Sequence, residues 1–128
     1  MILLDTCALL WLSGDQKKLS DKAIETIVKN TDALFVSSIT AFEIAIKCRN
    51  RKLKLGEPPL DWFKEALEFH GIRELPVTGS IAITSVQLPP LHNDPCDRII
   101  IATAQINALK ILTCDPHITQ YKQSDVIW

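Results

Sequence analysis

Residues 1–12 read MILLDTCALLWL, and residues 110–116 read KILTCDP. In both, a short β-like run ends in an aspartate, Asp5 or Asp115, and the chain then turns helical or loop-like. Between them the sequence keeps alternating short apolar runs with amphipathic segments, the order expected of an α/β fold with a parallel sheet covered by helices. Met1–Leu4 reads as strand one and Thr6–Leu12 as a short helix. Leu19–Lys29 reads as a helix capped by Ser20, with Ile24, Ile27 and Val28 as its apolar stripe. Ala33–Val36 is strand two, and Ser38 caps a helix reaching about Arg49. Leu60–Phe69 is a helix ended by Gly71, Arg73–Val77 is strand three, and Ser80–Val86 is helical. Pro95–Ala108 forms the strongest helix, Lys110–Thr113 strand four, and Asp125–Trp128 a short final strand.

The 128 residues fit one domain spanning 1–128, and no repeat or linker divides them. At 47% hydrophobic and 23% charged the chain is expected to be globular, and at 6% aromatic its core rests on aliphatic side chains. A net charge of −1 gives no global attraction to polyanions, so any such binding needs a local patch or a bound cation. The apolar N-terminus lacks a basic n-region and is interrupted by Asp5, and no run reaches the roughly 18 residues of a membrane span. A cytoplasmic location with no membrane partner is expected.

The acids carry the chemical signal. Ligands of open α/β sheets bind beyond the carboxyl ends of the strands, so Asp5 and Asp115 face one crevice if their strands are neighbours. Each also has a plain structural role open to it: Asp5 as the N-cap of the helix behind it, Asp115 as an N-cap ahead of Pro116. In SITAFEIAIK (38–47), Glu43 falls beside Ile39, Phe42 and Ile46 on one helical face, where a carboxylate needs a partner or a metal. An i,i+4 pair with Lys47 is the simpler alternative. In HNDPCDRIIIATA (92–104), Asp94 and Pro95 have the form of N-cap and N1, and Asp97 sits in the first turn of an apolar helix. Arg98 is either a surface charge or a partner for an acid or a phosphate. Carboxylates that converge cannot all stay ionised without a cation, and oxygen-rich sites suit Mg²⁺ or Mn²⁺. Such a site makes hydroxide from bound water and offsets charge building on a phosphodiester.

Other features weigh less. Lys47, Arg49, Arg51, Lys52 and Lys54 crowd one eight-residue span, either as a solvated helix end or as a phosphate-gripping rim. His70 suits a helix C-terminus, and His92 and His117 read as surface residues in loops near acids. The four cysteines, Cys7, Cys48, Cys96 and Cys114, show no C-x-x-C spacing and read as small packed thiols, with a mixed thiolate–carboxylate metal site as the minor alternative. No G-x-x-x-x-G-K-[ST], G-x-G-x-x-G or G-x-S-x-G motif is present.

The segments LLDTCALLW, VSSITAFEIAIK, KLKL, LPPLHNDPCDRIIIATA and ILTCDPHITQY, in that order, resemble PIN-domain proteins of the VapC toxin type. The resemblance covers almost the whole chain. It implies a three-layer α/β/α domain with a five-stranded parallel sheet ordered 3-2-1-4-5. It also implies a Mg²⁺-dependent endoribonuclease leaving 5′-phosphate and 3′-hydroxyl ends, with Asp5, Glu43, Asp97 and Asp115 as its catalytic and metal-binding acids. Dimerisation and inhibition by a VapB-type antitoxin are further implications. Cys7 and Cys96 depart from the His and Phe expected at those positions. A catalytically silent binding module on the same fold is the main alternative, and a receiver- or phosphatase-like phosphoryl-transfer domain lacks the lysine it would need.

Overall fold

A computed structural model describes residues 1–128. β1 (Ile2–Leu4) lies at the centre, between β2 (Leu34–Ser37) and β4 (Lys110–Leu112), with β3 (Arg73–Leu75) and β5 (Val126–Ile127) at the edges. All pairings are parallel and the order is β3-β2-β1-β4-β5, as the resemblance implies. Ile2 pairs with Leu34 on one side and Lys110 on the other, and Leu4 with Val36 and Leu112.

The alternation of a strand divides β1 between two cores. Ile2 and Leu4 pack with Ala8, Leu9 and Leu12 of α1 (Thr6–Leu12), Ala23 and Ile27 of α2 (Asp21–Lys29), Ile44 of α3 (Ser38–Arg49) and Phe63 of α4 (Pro59–His70). Leu3 faces the other way, onto Ile100, Ile101 and Ala104 of α6 (Pro95–Asn107), with Ile118 of α7 (Pro116–Thr119) in the same cluster. α5 (Gly79–Gln87) packs along α6. Helices thus cover both faces of the sheet, which is why β1 carries three buried apolar residues in a row. No helix is long and apolar enough to cross a membrane.

Local chemistry moved several expected boundaries. Ser20 caps α2 as expected, its hydroxyl accepting the Ala23 N–H at 2.9 Å. The inward face of that helix is Ala23 and Ile27, while Ile24 and Val28 are 41% and 65% exposed, so the expected stripe was turned too far around the helix. α3 is capped by Ser37, not Ser38, whose hydroxyl instead donates to Glu74 Oε2 at 2.6 Å. Its buried residues are Thr40 and Ile44, whereas Phe42 is exposed, so the apolar face expected around Glu43 lies one step away. α4 divides its apolar residues: Phe63 and Ala66 enter the core, Leu60 and Phe69 face solvent, and Gly71 ends the helix at φ 64°. Thr78 caps α5, and the turn after Asp115 is the additional helix α7.

Arg98 is neither a free surface charge nor an acid's partner, and its expected phosphate-binding role is not compatible with its contacts. Its guanidinium donates to the carbonyls of Val86, Leu88, Pro89 and His92 at 2.7–3.2 Å, and to Tyr121 Oη at 3.0 Å. The two terminal nitrogens are therefore spent on the Tyr121 hydroxyl and on carbonyls of the last turn of α5 and its following loop. The Tyr121 hydroxyl also accepts the His92 N–H at 3.0 Å, which ties the loop to the segment after α7. Replacing Arg98 with Ala is expected to cost about 3 kcal/mol in urea unfolding, and Lys to recover little of it, because one ammonium cannot reach so many carbonyls. A loss below about 0.5 kcal/mol would return Arg98 to the surface-charge reading.

Candidate active site

In this strand order the chain winds outward from β1 through β2 to β3, then returns to the far side of β1 as β4. The reversal opens a crevice at the carboxyl ends of β1 and β4. The crevice measures about 270 Å³ and is walled almost entirely by polar side chains, among them Asp5, Glu43, Asp97 and Asp115. A larger cavity of about 410 Å³ lies between the end of α1 and α4, and shares none of those residues.

Asp5 follows β1 and is nearly fully buried. Its Oδ1 accepts the Ala8 N–H at 2.8 Å, so it is the cap of α1. Its Oδ2 accepts the Thr113 hydroxyl. That hydroxyl also accepts the Asp115 N–H at 3.0 Å, so one threonine at the end of β4 links both strand-end aspartates. Asp115 in turn caps α7 through the His117 N–H at 2.9 Å. The structural and site readings of these two aspartates coexist, because one carboxylate oxygen meets the cap and the residue still lines the crevice.

Glu43 reaches the crevice from α3. Its Oε1 accepts the Thr6 hydroxyl at 2.5 Å, Thr6 also contacts Thr40 Oγ1 at 3.2 Å, and Lys47 Nζ stands 4.0 Å from Glu43 Oε2. Asp97 enters from the first turn of α6, where Asp94 acts as N-cap by accepting the Cys96 N–H at 2.9 Å. His92 Nε2 lies 3.0 Å from Asp97 Oδ2, and its ring stacks on that of His117 at 4.1 Å between centroids. One donor atom from each of His92, Asp94 and Asp97 falls within a 4.8 Å cluster.

Burial and crowding raise the proton affinity of Asp5 and Asp97. Desolvation pushes Asp5 up to about 6; the bonds from Thr113 and Ala8 resist, and the charges of Asp115 and Glu43 add to the rise. Desolvation also pushes Asp97 up to about 7, with Asp94, Asp115 and Glu43 adding repulsion that the His92 bond opposes. The donor set is therefore oxygen-rich, anionic and mutually repelling, and it fits a divalent cation. In the metal-free protein burial, reinforced by the acids, pushes Cys7 up to about 11 and Cys96 up to about 12, so both are protonated thiols.

Of the basic residues singled out in the sequence, Lys47 lines the crevice, whereas Arg49 and Arg51 are exposed at the far end of α3, outside it. Sequence reasoning missed Thr6, Thr113 and the histidine stack. A threonine closing the apolar run immediately before Cys114-Asp115 was the one available signal for Thr113.

Residues 2–123 match the PIN domain family. The chain is 32% identical over 122 residues to Ribonuclease VapC22 of Mycobacterium tuberculosis (strain ATCC 25618 / H37Rv), covering 94% of this chain and 92% of that protein. DNA-bound VapBC from Salmonella typhimurium shares its fold with a TM-score of 0.73 at 18% identity, over 98% of this chain and 96% of that one. A toxin–antitoxin complex from Klebsiella pneumoniae gives 0.68 at 19% identity, over 100% and 97%. FitAcB from Neisseria gonorrhoeae gives 0.65 at 22% identity, also over 100% and 97%. With a match across nearly its whole length, the chain belongs to the PIN-domain family, on its VapC branch.

Proposed function

We propose that this chain is a metal-dependent endoribonuclease and the toxin of a type II toxin–antitoxin pair, with residues 1–128 acting as one PIN domain. The observation that carries the reading is the meeting of Asp5, Glu43, Asp97 and Asp115, from four distant segments, in one polar crevice. The ribonuclease relative at 32% identity supports the activity, and hydrolysis of an RNA phosphodiester is the reaction such a site suits.

Asp5 and Asp97 would hold the metal, Mg²⁺ by preference with Mn²⁺ as an alternative, and Glu43 and Asp115 would supply further oxygens. When bound, the cation supplies Lewis acidity toward the phosphodiester and lowers the pKa of a coordinated water. Thr113 and Ala8 orient Asp5 from behind, and His92 does the same for Asp97. Lys47 balances part of the negative wall and faces an incoming phosphate, while Arg49 and Arg51 extend a basic rim beyond it. A VapB-type antitoxin is the proposed protein partner, in line with the similar structure that is a toxin–antitoxin complex. A cytoplasmic homodimer is the proposed state, with the exposed Leu60 and Phe69 as its candidate contact.

Asp5→Asn and Asp97→Asn should each lower the rate of RNA cleavage by at least about 100-fold, measured on a fluorogenic oligonucleotide with Mg²⁺ or Mn²⁺. Cleavage at the wild-type rate in either variant overturns the assignment.

The raised acids also predict a pH dependence of folding. The metal-free native state holds protons on Asp5 and Asp97 up to about 6 and about 7, whereas the unfolded chain releases them near 3.8. The native state binds more protons between those limits, so stability falls as pH rises through that window. Metal-free protein should melt higher at pH 5 than at pH 7.5. At pH 7.5, Mg²⁺ at about a hundred times its Kd should raise Tm by roughly 8 °C, and less at pH 5. A silent binding module would show no Mg²⁺ effect at either pH.

Replacing Arg49, Arg51 and Lys52 together by Ala should reduce the slope of log Kd against log salt for single-stranded RNA by about 2. An unchanged slope places the phosphate track elsewhere.

A further inference from the structure

His92 reaches the crevice from the loop ahead of α6 and His117 from the first turn of α7, and their rings lie nearly parallel, 11° apart, at 4.1 Å. Backbone bonds hold both in place. The His92 N–H donates to Tyr121 Oη at 3.0 Å and its carbonyl accepts from Arg98 at 3.2 Å. Its Nε2 is engaged by Asp97 at 3.0 Å. The His117 N–H donates to Asp115 Oδ1 at 2.9 Å. One face of the His117 ring is covered by His92, and the residue is otherwise exposed at the edge of the crevice. No Phe, Tyr or Trp lines that crevice, so the histidine pair is its sole aromatic surface.

This arrangement suits one part of a nucleic acid better than the rest. The acids repel phosphates that arrive without a cation, but a nucleobase presents a neutral π face. Single-stranded RNA is commonly gripped by stacking unpaired bases on aromatic side chains, histidine among them. A ring already fixed on a second ring loses little freedom when a third plane is added. We propose that His117 is a substrate-binding residue that stacks a nucleobase adjacent to the phosphodiester to be cut, with His92 as the positioning residue that holds its ring. The inference rests on the ribonuclease reading. It adds that the site selects unpaired RNA through one base whose identity matters less than its π face.

The test uses a single-stranded RNA dodecamer and the same dodecamer made abasic at one position at a time. Binding is measured in the Asp5→Asn background, where the strand stays intact. At one position next to the cleavage site, loss of the base should weaken binding about tenfold with His117 present and leave it unchanged with His117→Ala. In the otherwise native enzyme His117→Ala should raise KM about tenfold with a smaller change in kcat, and His117→Phe should restore KM. Melting curves identify a variant that fails to fold, and the Phe variant keeps the test decisive in that event. The stacking proposal is overturned if every abasic position loses equally with and without His117, or if Phe behaves as Ala does. A native protein that cuts no RNA with either metal overturns the ribonuclease reading itself, a separate result.

Discussion

The hydroxyl of Thr113 donates to Asp5 and accepts the backbone N–H of Asp115, and so joins the ends of β1 and β4 across the crevice. Two aspartates brought so close in a desolvated place repel each other, and repulsion is the constraint the surroundings answer. Thr113 and Ala8 give Asp5 fixed donors, Thr6 gives one to Glu43, and His92 bonds Asp97. These bonds orient the carboxylates without neutralising them, as the raised proton affinities of Asp5 and Asp97 attest. What remains is an unsatisfied demand for positive charge, which protons meet at low pH and which a divalent cation is suited to meet at neutral pH.

The same residues serve stability and chemistry, and the two roles do not compete here. An aspartate that caps a helix spends one oxygen on a backbone N–H and keeps the other. Asp94 and Asp115 do this at the start of α6 and α7, and Asp5 caps α1 while its second oxygen accepts the Thr113 hydroxyl. Three helices therefore begin at the crevice, and their N-terminal dipoles favour the negative charge gathered there. Arg98 works on the same problem from outside. By binding the carbonyls that follow α5, it shapes the loop that delivers His92 to Asp97. The crevice is thus built on rigid element ends rather than on a free loop, and its rigidity follows from hydrogen bonds made for other reasons.

Some of this was legible in the chain alone. Short apolar runs ending in aspartate gave two strand ends, and the Asp94-Pro95 pair announced the start of α6. Strand–helix alternation gave the fold class, since local hydrophobic period is a property of neighbouring residues. The apolar face expected to bury Glu43 contains an exposed Phe42, and the residue reaches the crevice with a bond from Thr6 instead. Periodicity placed its helix but misjudged the rotation about the helix axis.

What sequence determined by itself was most of the elements and their caps and the supply of carboxylates at strand ends and helix starts, all matters of spacing within a dozen residues. Only the tertiary structure decided which of those groups meet. The partnerships of Thr113 with Asp5, Thr6 with Glu43, and His117 with His92 span 108, 37 and 25 positions of chain, and no local pattern encodes them. The fate of Arg98 was hidden for the same reason. A guanidinium looks alike in sequence whether it meets phosphate, carboxylate or five backbone and tyrosine oxygens, and the choice is made by which loop the packing of α5 on α6 brings within its reach.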